Sequence, residues 1–131
     1  MNENLSLEQL DGARWGPTPE DATSLMRTVY SLRQRPIGSL EPGDIRVLLG
    51  QQEGVAVLTP RALDLLENEP LVDSSYYPGD LLVAVLGLPQ SHWQANPDQH
   101  SAIKRVVERV RSGTDPDAPD QTVTDAIEKF G

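Results

Sequence analysis

Two histidines and a large number of carboxylates are the residues of this chain that could carry chemistry. His92 and His100 lie in one segment, separated by Pro97, and only Asp98 offers a carboxylate nearby. A protein zinc site takes three or four ligands from His, Cys or acidic side chains, and the chain has no cysteine. We therefore expect no metal ion and interpret both histidines as surface residues.

Nucleophilic and phosphate-binding motifs are not recognisable either. No strand-turn-helix glycine pattern places a serine at a nucleophile elbow. The glycines between residues 38 and 54 have no lysine at the spacing of a P-loop. The twenty acidic residues allow many carboxylate pairs, but solvated helix faces explain nearly all of them. The sequence predicts a protein that is not an enzyme and that uses no cofactor.

The charge balance indicates what kind of partner the chain could bind. Eleven basic against twenty acidic residues give a net charge of −9. This charge opposes binding to nucleic acid or to an anionic membrane and favours a basic partner. Acidity that merely keeps the protein in solution is the simpler alternative.

The acidic residues are also unevenly distributed. No lysine or arginine lies between Arg61 and Lys104, an interval that contains six acids, two tyrosines and Trp93. Aromatic rings among carboxylates suit a surface that captures a basic protein, because the rings give contact area and the carboxylates steer association. We predict a partner-binding face formed by Asp64, Glu67, Glu69, Asp73, Tyr76, Tyr77 and Asp80. The alternative is that the tyrosines cover the core at a loop and the acids are simply solvated.

Helix-start signals divide the first half of the chain. Thr18 as N-cap, followed by Pro19, predicts a helix over residues 18–34 that buries Leu25, Met26 and Val29 among others. A second helix begins near residues 41–44 and ends at Gly50, burying Ile45, Leu48 and Leu49. Thr59-Pro60 repeats the cap-then-proline start of a third helix, with Leu63 and Leu66 on its apolar face.

The next segments are less uniform. Val-rich residues 54–58 could form a lone strand. Pro78-Gly79-Asp80 begins an apolar stretch to Leu86 that we interpret as a helix, because Pro42-Gly43-Asp44 precedes another apolar stretch. This repeat of Pro-Gly-Asp before an apolar stretch would suit stacked helical hairpins. The alternatives are chance and the general preference of helix starts for proline and aspartate.

The last third predicts an amphipathic helix over residues 98–111, with Ile103, Val106, Val107 and Val110 on its apolar face. Residues 113–120 have the composition of an acidic loop, and residues 123–130 could form a short terminal helix. The predicted fold is all-α, a compact bundle of roughly seven short helices. Residues 1–112 form the helical domain, and residues 113–131 pack on it or fray from it.

Targeting signals are not visible in the sequence. The first residues lack a basic stretch followed by an apolar one, and the longest apolar run, Leu81 to Leu88, is too short to cross a bilayer. We expect a cytoplasmic protein.

Four stretches of sequence, taken in order, resemble the immunity proteins of contact-dependent growth inhibition (CDI), usually labelled CdiI. The stretches are LDGARWG (10–16), PEDATSL (19–25), LLGQQ (48–52) and YYPGDLL (76–82), which Trp93 follows. The resemblance covers roughly residues 5–97, and the last stretch is the most distinctive. Because immunity families diversify at the face that binds the toxin, Trp15, Gly50, Pro78 and Gly79 are expected to belong to the scaffold.

The resemblance implies a cytosolic protein, monomeric before binding, that blocks one partner. That partner would be the C-terminal toxin domain of a cognate CdiA-type effector, often a nuclease, whose active site the immunity protein occludes without turnover. A basic nuclease groove would suit the acidic composition of this chain. The alternative function is a helical adaptor that binds a peptide or protein, and an enzyme that detoxifies a product has no positive support.

Overall fold

The order of helices is given by a computed structural model that describes residues 4–12, 16–74, 77–112 and 121–130. These residues form eight α-helices and no β-strand, which confirms the predicted all-α class and adds one helix to the rough number expected. In chain order the helices are Leu7–Asp11 (α1), Ser24–Arg33 (α2), Pro42–Gly50 (α3), Val55–Asn68 (α4), Asp80–Leu86 (α5), Gln90–Ala95 (α6), Pro97–Arg111 (α7) and Gln121–Phe130 (α8). A 3₁₀ turn, Ile37–Ser39, separates α2 from α3.

Helix α5 lies at the centre of the packing. It contacts α3, α4 and α8, and Leu81, Leu82 and Val85 are fully buried. A helix whose apolar residues occupy most of its circumference is stable only inside a protein, where neighbours cover every side. Helix α3 also packs on α2 and α4, and α7 packs on α4 and α6. All eight helices therefore contribute to one hydrophobic core.

The two C-terminal helices follow their predicted patterns closely. The apolar face predicted for residues 98–111 is buried in α7, with Ile103 and Val106 almost inaccessible. Helix α8 docks on α5 through its own apolar face, where Val123 and Ile127 are buried. Residues 113–120, predicted as an acidic loop, lie outside the described residues. The division at residue 112 stays a prediction.

Gly79 makes the close contact between α5 and α8 possible. It is the N-cap of α5 and has φ +93°, a left-handed conformation that side chains rarely adopt. A Cβ atom at this position would lie 2.6 Å from Cγ2 of Val123 and 3.2 Å from Cδ2 of Leu71. Only glycine allows the start of α5 to approach α8 this closely without displacing Val123.

The predicted start of the first long helix is wrong. Helix α2 begins at Ser24, and Thr23 is its N-cap, whose Oγ1 accepts a hydrogen bond from the Met26 amide at 3.2 Å. Thr23 therefore supplies the cap that was assigned to Thr18. The segment before it is a turn, fastened by the Arg27 side chain, which donates to the carbonyl of Glu20 at 2.6 Å. Leu25, predicted in the core, is 43% exposed.

The predicted helix start at Thr59-Pro60 and the predicted lone strand over residues 54–58 are both wrong, because one helix covers both segments. Helix α4 begins at Val55, after Gly54 with φ +63°, and Pro60 lies inside it. An interior proline removes one backbone hydrogen bond and costs about 3 kcal/mol. Leu58, which only the earlier start includes in the helix, is fully buried, and its burial contributes about 1.5–3 kcal/mol, which offsets most of that cost. Packing thus decides the helix boundary here.

Candidate functional site

The outer face of α4 presents the first of the predicted site acids. Asp64 is exposed and its carboxylate has no hydrogen bond or ion pair with any described residue. Glu67 lies three positions later on the same exposed face, as the helical repeat requires. These two carboxylates are therefore neighbours on one helix surface.

Glu67 is paired with cations of α7, although no basic residue is near it in sequence. Nη2 of Arg105 lies 3.3 Å from Oε1 of Glu67, and the Arg109 guanidinium donates to the Glu67 backbone carbonyl. Both side chains of the ion pair are largely exposed, so the pair contributes at most about 1 kcal/mol. The acidic interval contains no lysine or arginine in sequence, but the fold places arginines of α7 next to it.

The connection between α4 and α5 carries two further exposed acids. Glu69 is the C-cap of α4, and Asp73 follows the buried residues Pro70 and Leu71. Asp73 forms an isolated backbone bridge with Pro78, which closes the loop. The carboxylates of Glu69 and Asp73 make no hydrogen bond or ion pair within the described part of the chain. Their charges are free to meet a partner.

Asp80 differs from the other acids because it is buried. It is 3% exposed, and its Oδ1 accepts hydrogen bonds from the Ser74 amide at 2.8 Å and the Ser74 hydroxyl at 2.6 Å. Its Oδ2 lies 3.8 Å from Nε of Arg46 on α3. These contacts fasten the loop and α3 to the start of α5, so the carboxylate serves the scaffold.

The tyrosines and tryptophans considered in the sequence also differ in burial. Tyr77 is half-buried and packs against the core, whereas Tyr76 lies outside the described residues. Trp93 is 1% exposed and belongs to the core. Trp15, which the resemblance assigns to the scaffold, lies outside the described residues.

The histidines belong to an aromatic cluster around Trp93 and are half-buried, not fully at the surface as predicted. His92 packs edge-on against Trp93 at 5.0 Å between ring centroids, and its Nε2 lies 2.8 Å from Oε1 of Gln99. The ring of His100 lies 5.9 Å from that of Trp93 and 5.8 Å from that of Phe130. No group of three potential metal ligands occurs among residues 4–12, 16–74, 77–112 and 121–130.

Sequence reasoning missed a second charged surface, which lies around Phe130. Lys104 and Arg111 of α7 line a depression on one side of Phe130, and Lys129 of α8 lines the adjoining depression. The polar face of α7 can be recognised from the sequence, but its position next to α8 depends on tertiary packing.

Among the described helices, none has the length and hydropathy of a membrane-spanning segment.

Comparison with known proteins adds one match. The family model described as CDI immunity proteins matches residues 9–103, which is most of the chain. The match includes α2 to α6 and the first half of α7, and with them the exposed acids on α4 and on the α4–α5 connection. No curated protein and no solved structure matches this chain.

Proposed function

Since the chain belongs to the family of CDI immunity proteins, we propose that it binds the C-terminal toxin domain of its cognate CDI effector and neutralises it. The monomeric protein forms a one-to-one complex in the cytoplasm and occludes the active site of the toxin. It consumes nothing and needs no cofactor. The observation that carries this proposal is the family match over residues 9–103.

The charge of the chain supports a basic toxin, and a nuclease is the toxin class that fits best. Enzymes that cleave nucleic acid hold phosphates in basic grooves, and an acidic protein competes for such a groove. Among the predicted contacts, the exposed carboxylates of Asp64, Glu69 and Asp73 have no partner within the described residues. Because they are not neutralised internally, they remain available to Arg and Lys side chains of the toxin.

Burial refines the set of contact residues that we propose. Asp64, Glu69 and Asp73 are the primary contacts, and Glu67 contributes after exchanging Arg105 for a cation of the toxin. Tyr76 and Tyr77 remain proposed contacts at the same loop. Asp80 is left out, because its carboxylate is already enclosed by Ser74 and Arg46.

Co-expression tests the proposal directly. The toxin domain encoded beside this chain is expressed with and without it, and survival, co-purification and toxin activity are measured. We expect survival, a one-to-one complex and stoichiometric inhibition. Toxicity that persists without any complex would overturn the proposal and favour the helical adaptor.

Charge reversal tests the acidic contacts. The triple variant Asp64→Lys, Glu69→Lys, Asp73→Lys is compared with a control triple, Glu20→Lys, Asp21→Lys, Glu128→Lys, whose exposed acids lie elsewhere. Both variants have the same net charge, so a difference between them reports location. We expect the first to slow association about tenfold or more at low salt, by stopped-flow fluorescence, and the control to slow it much less.

Equal slowing by the two triples would show that only total charge matters and would refute the assigned contacts. It would leave the immunity function intact. Circular dichroism of both variants establishes that each is folded, since all six positions are exposed.

A further inference from the structure

A groove runs past Phe130, where the end of α8 meets α5, α6 and α7. It consists of two depressions of ≈ 430 and ≈ 450 Å³ that share Gln90 and Phe130 in their walls. Both depressions are partly open to solvent, so the groove can admit a segment of a partner chain and does not enclose a ligand.

The walls of the groove are mainly apolar. Phe130 is half-buried and is joined by side chains from α5, the α5–α6 turn and α7, namely Val83, Leu86, Leu88 and Val107. The indole of Trp93 also lines it, with its ring centroid 5.9 Å from that of Phe130. A large apolar side chain of a partner would find contacts on both sides of the Phe130 ring.

The charges around the groove are mostly positive, on a chain with a net charge of −9. Lys104, Arg111 and Lys129 line it, and Glu108, 3.6 Å from Arg111, is the one acid among its described lining residues. The exposed ammonium groups of Lys104 and Lys129 make no ion pair or hydrogen bond with any described residue. These two charges attract an anionic partner, which the acidic surface of α4 would repel.

A polar group beneath the groove also lacks a partner. Nε1 of Trp93 is buried and has no acceptor among the described residues. A buried donor without an acceptor lowers stability. An occupant that moved the Phe130 ring and brought a carbonyl or carboxylate oxygen to the indole would remove that deficit.

We propose that this groove binds an acidic peptide segment of a protein partner, with a large apolar side chain against Phe130 and carboxylates on Lys104 and Lys129. The site is separate from the proposed toxin contacts and has the opposite charge. All four residues that define it, Lys104, Arg111, Lys129 and Phe130, follow residue 103, where the family match ends. The groove therefore gives this chain a second binding surface for which the family match does not account.

A peptide-binding experiment tests the site without any toxin, so its outcome is independent of the immunity proposal. The probe is a fluorescein-labelled peptide of sequence DEFEDLDE, and the control peptide carries lysine at each acidic position. Fluorescence polarisation with the full chain is expected to show saturable binding of the acidic peptide and none of the basic one.

Matched variants locate the binding. Lys104→Glu with Lys129→Glu is expected to weaken binding of the acidic peptide at least about tenfold. Arg105→Glu is the control for Lys104→Glu alone, which changes the net charge by the same amount. Arg105 is next to Lys104 in sequence but pairs with Glu67 on α4. In ¹H–¹⁵N spectra the indole N–H signal of Trp93, assigned with Trp93→Phe, is expected to shift on binding.

Three outcomes would overturn the proposal. They are absence of binding to the acidic peptide, equal binding of both peptides, and equal loss in Arg105→Glu and in Lys104→Glu. An unchanged Trp93 signal during saturable binding would also place the peptide elsewhere. Circular dichroism excludes unfolding as the cause, since Lys104, Arg105 and Lys129 are exposed.

Discussion

Helices α3 and α5 begin at the same three residues, Pro-Gly-Asp, but use them in different ways. In α3, Pro42 is the first helical residue and Asp44 closes the first turn, accepting a hydrogen bond from the Glu41 amide at 2.9 Å. Helix α5 begins at the third residue of the tripeptide, whereas α3 begins at the first. Gly79 is the N-cap, and Asp80 is the first helical residue.

Burial explains the difference between the two helix starts. The carboxylate of Asp44 lies near the surface, where it caps its own helix and pairs with Arg35 at 3.6 Å. The carboxylate of Asp80 is enclosed; it accepts two hydrogen bonds from Ser74 in the preceding loop and forms an ion pair at 3.8 Å with Arg46 on α3. One tripeptide therefore serves local structure at the surface and tertiary structure in the core. Three variants test this comparison.

Asp80→Ala should have the largest effect on stability. It leaves the Ser74 amide and hydroxyl without their buried acceptor and removes the charge that lies 3.8 Å from the Arg46 guanidinium, so we expect a loss of about 3–5 kcal/mol in the free energy of unfolding. Urea denaturation measures it. Asp80→Asn keeps an oxygen acceptor and should lose less, which separates the hydrogen bonds from the ion pair. A loss below about 1 kcal/mol for Asp80→Ala would contradict the buried role.

Gly79→Ala should have the next largest effect, about 2–3 kcal/mol, because the left-handed backbone disfavours a side chain and the new methyl group overlaps Val123. Thermal unfolding measures it. In a Val123→Ala background the overlap is relieved and the additional loss should shrink. If the loss stays the same in both backgrounds, overlap with Val123 is not its cause, and the backbone conformation and Leu71 account for it.

Asp44→Ala should have the smallest effect, about 1 kcal/mol, because it removes one cap bond and one partly exposed ion pair. Urea denaturation alongside Asp80→Ala gives the comparison directly. Equal losses for the two variants would mean that the motif has one role in both helices.

Where apolar spacing and boundary signals agree, the sequence predicted the helices closely, as for α3, α5, α7 and α8. The two errors share one cause, since both came from taking a Thr-Pro pair as a helix start. Thr18-Pro19 lies in a turn before α2, and Thr59-Pro60 lies inside α4. A local start signal is worth about 1 kcal/mol, so a neighbouring cap or a buried apolar face overrides it.

The candidate site was less predictable because its charges are paired across the fold. Arg105 reaches Glu67, and Arg46 reaches Asp80, from other helices. Linear spacing identified where acids are abundant but could not distinguish a free carboxylate, such as that of Asp73, from an enclosed one. Burial and ion pairing come from tertiary packing, which no local pattern contains.

The packing of α8 over α5 also has a consequence for synthesis of the protein. The most apolar helix is covered by residues 121–130, which leave the ribosome after every other described helix. Chains fold progressively as they emerge, and an exposed apolar helix is prone to aggregation until its cover arrives. The nascent chain therefore holds α5 partly uncovered until α8 is made, and this side of the core closes only then.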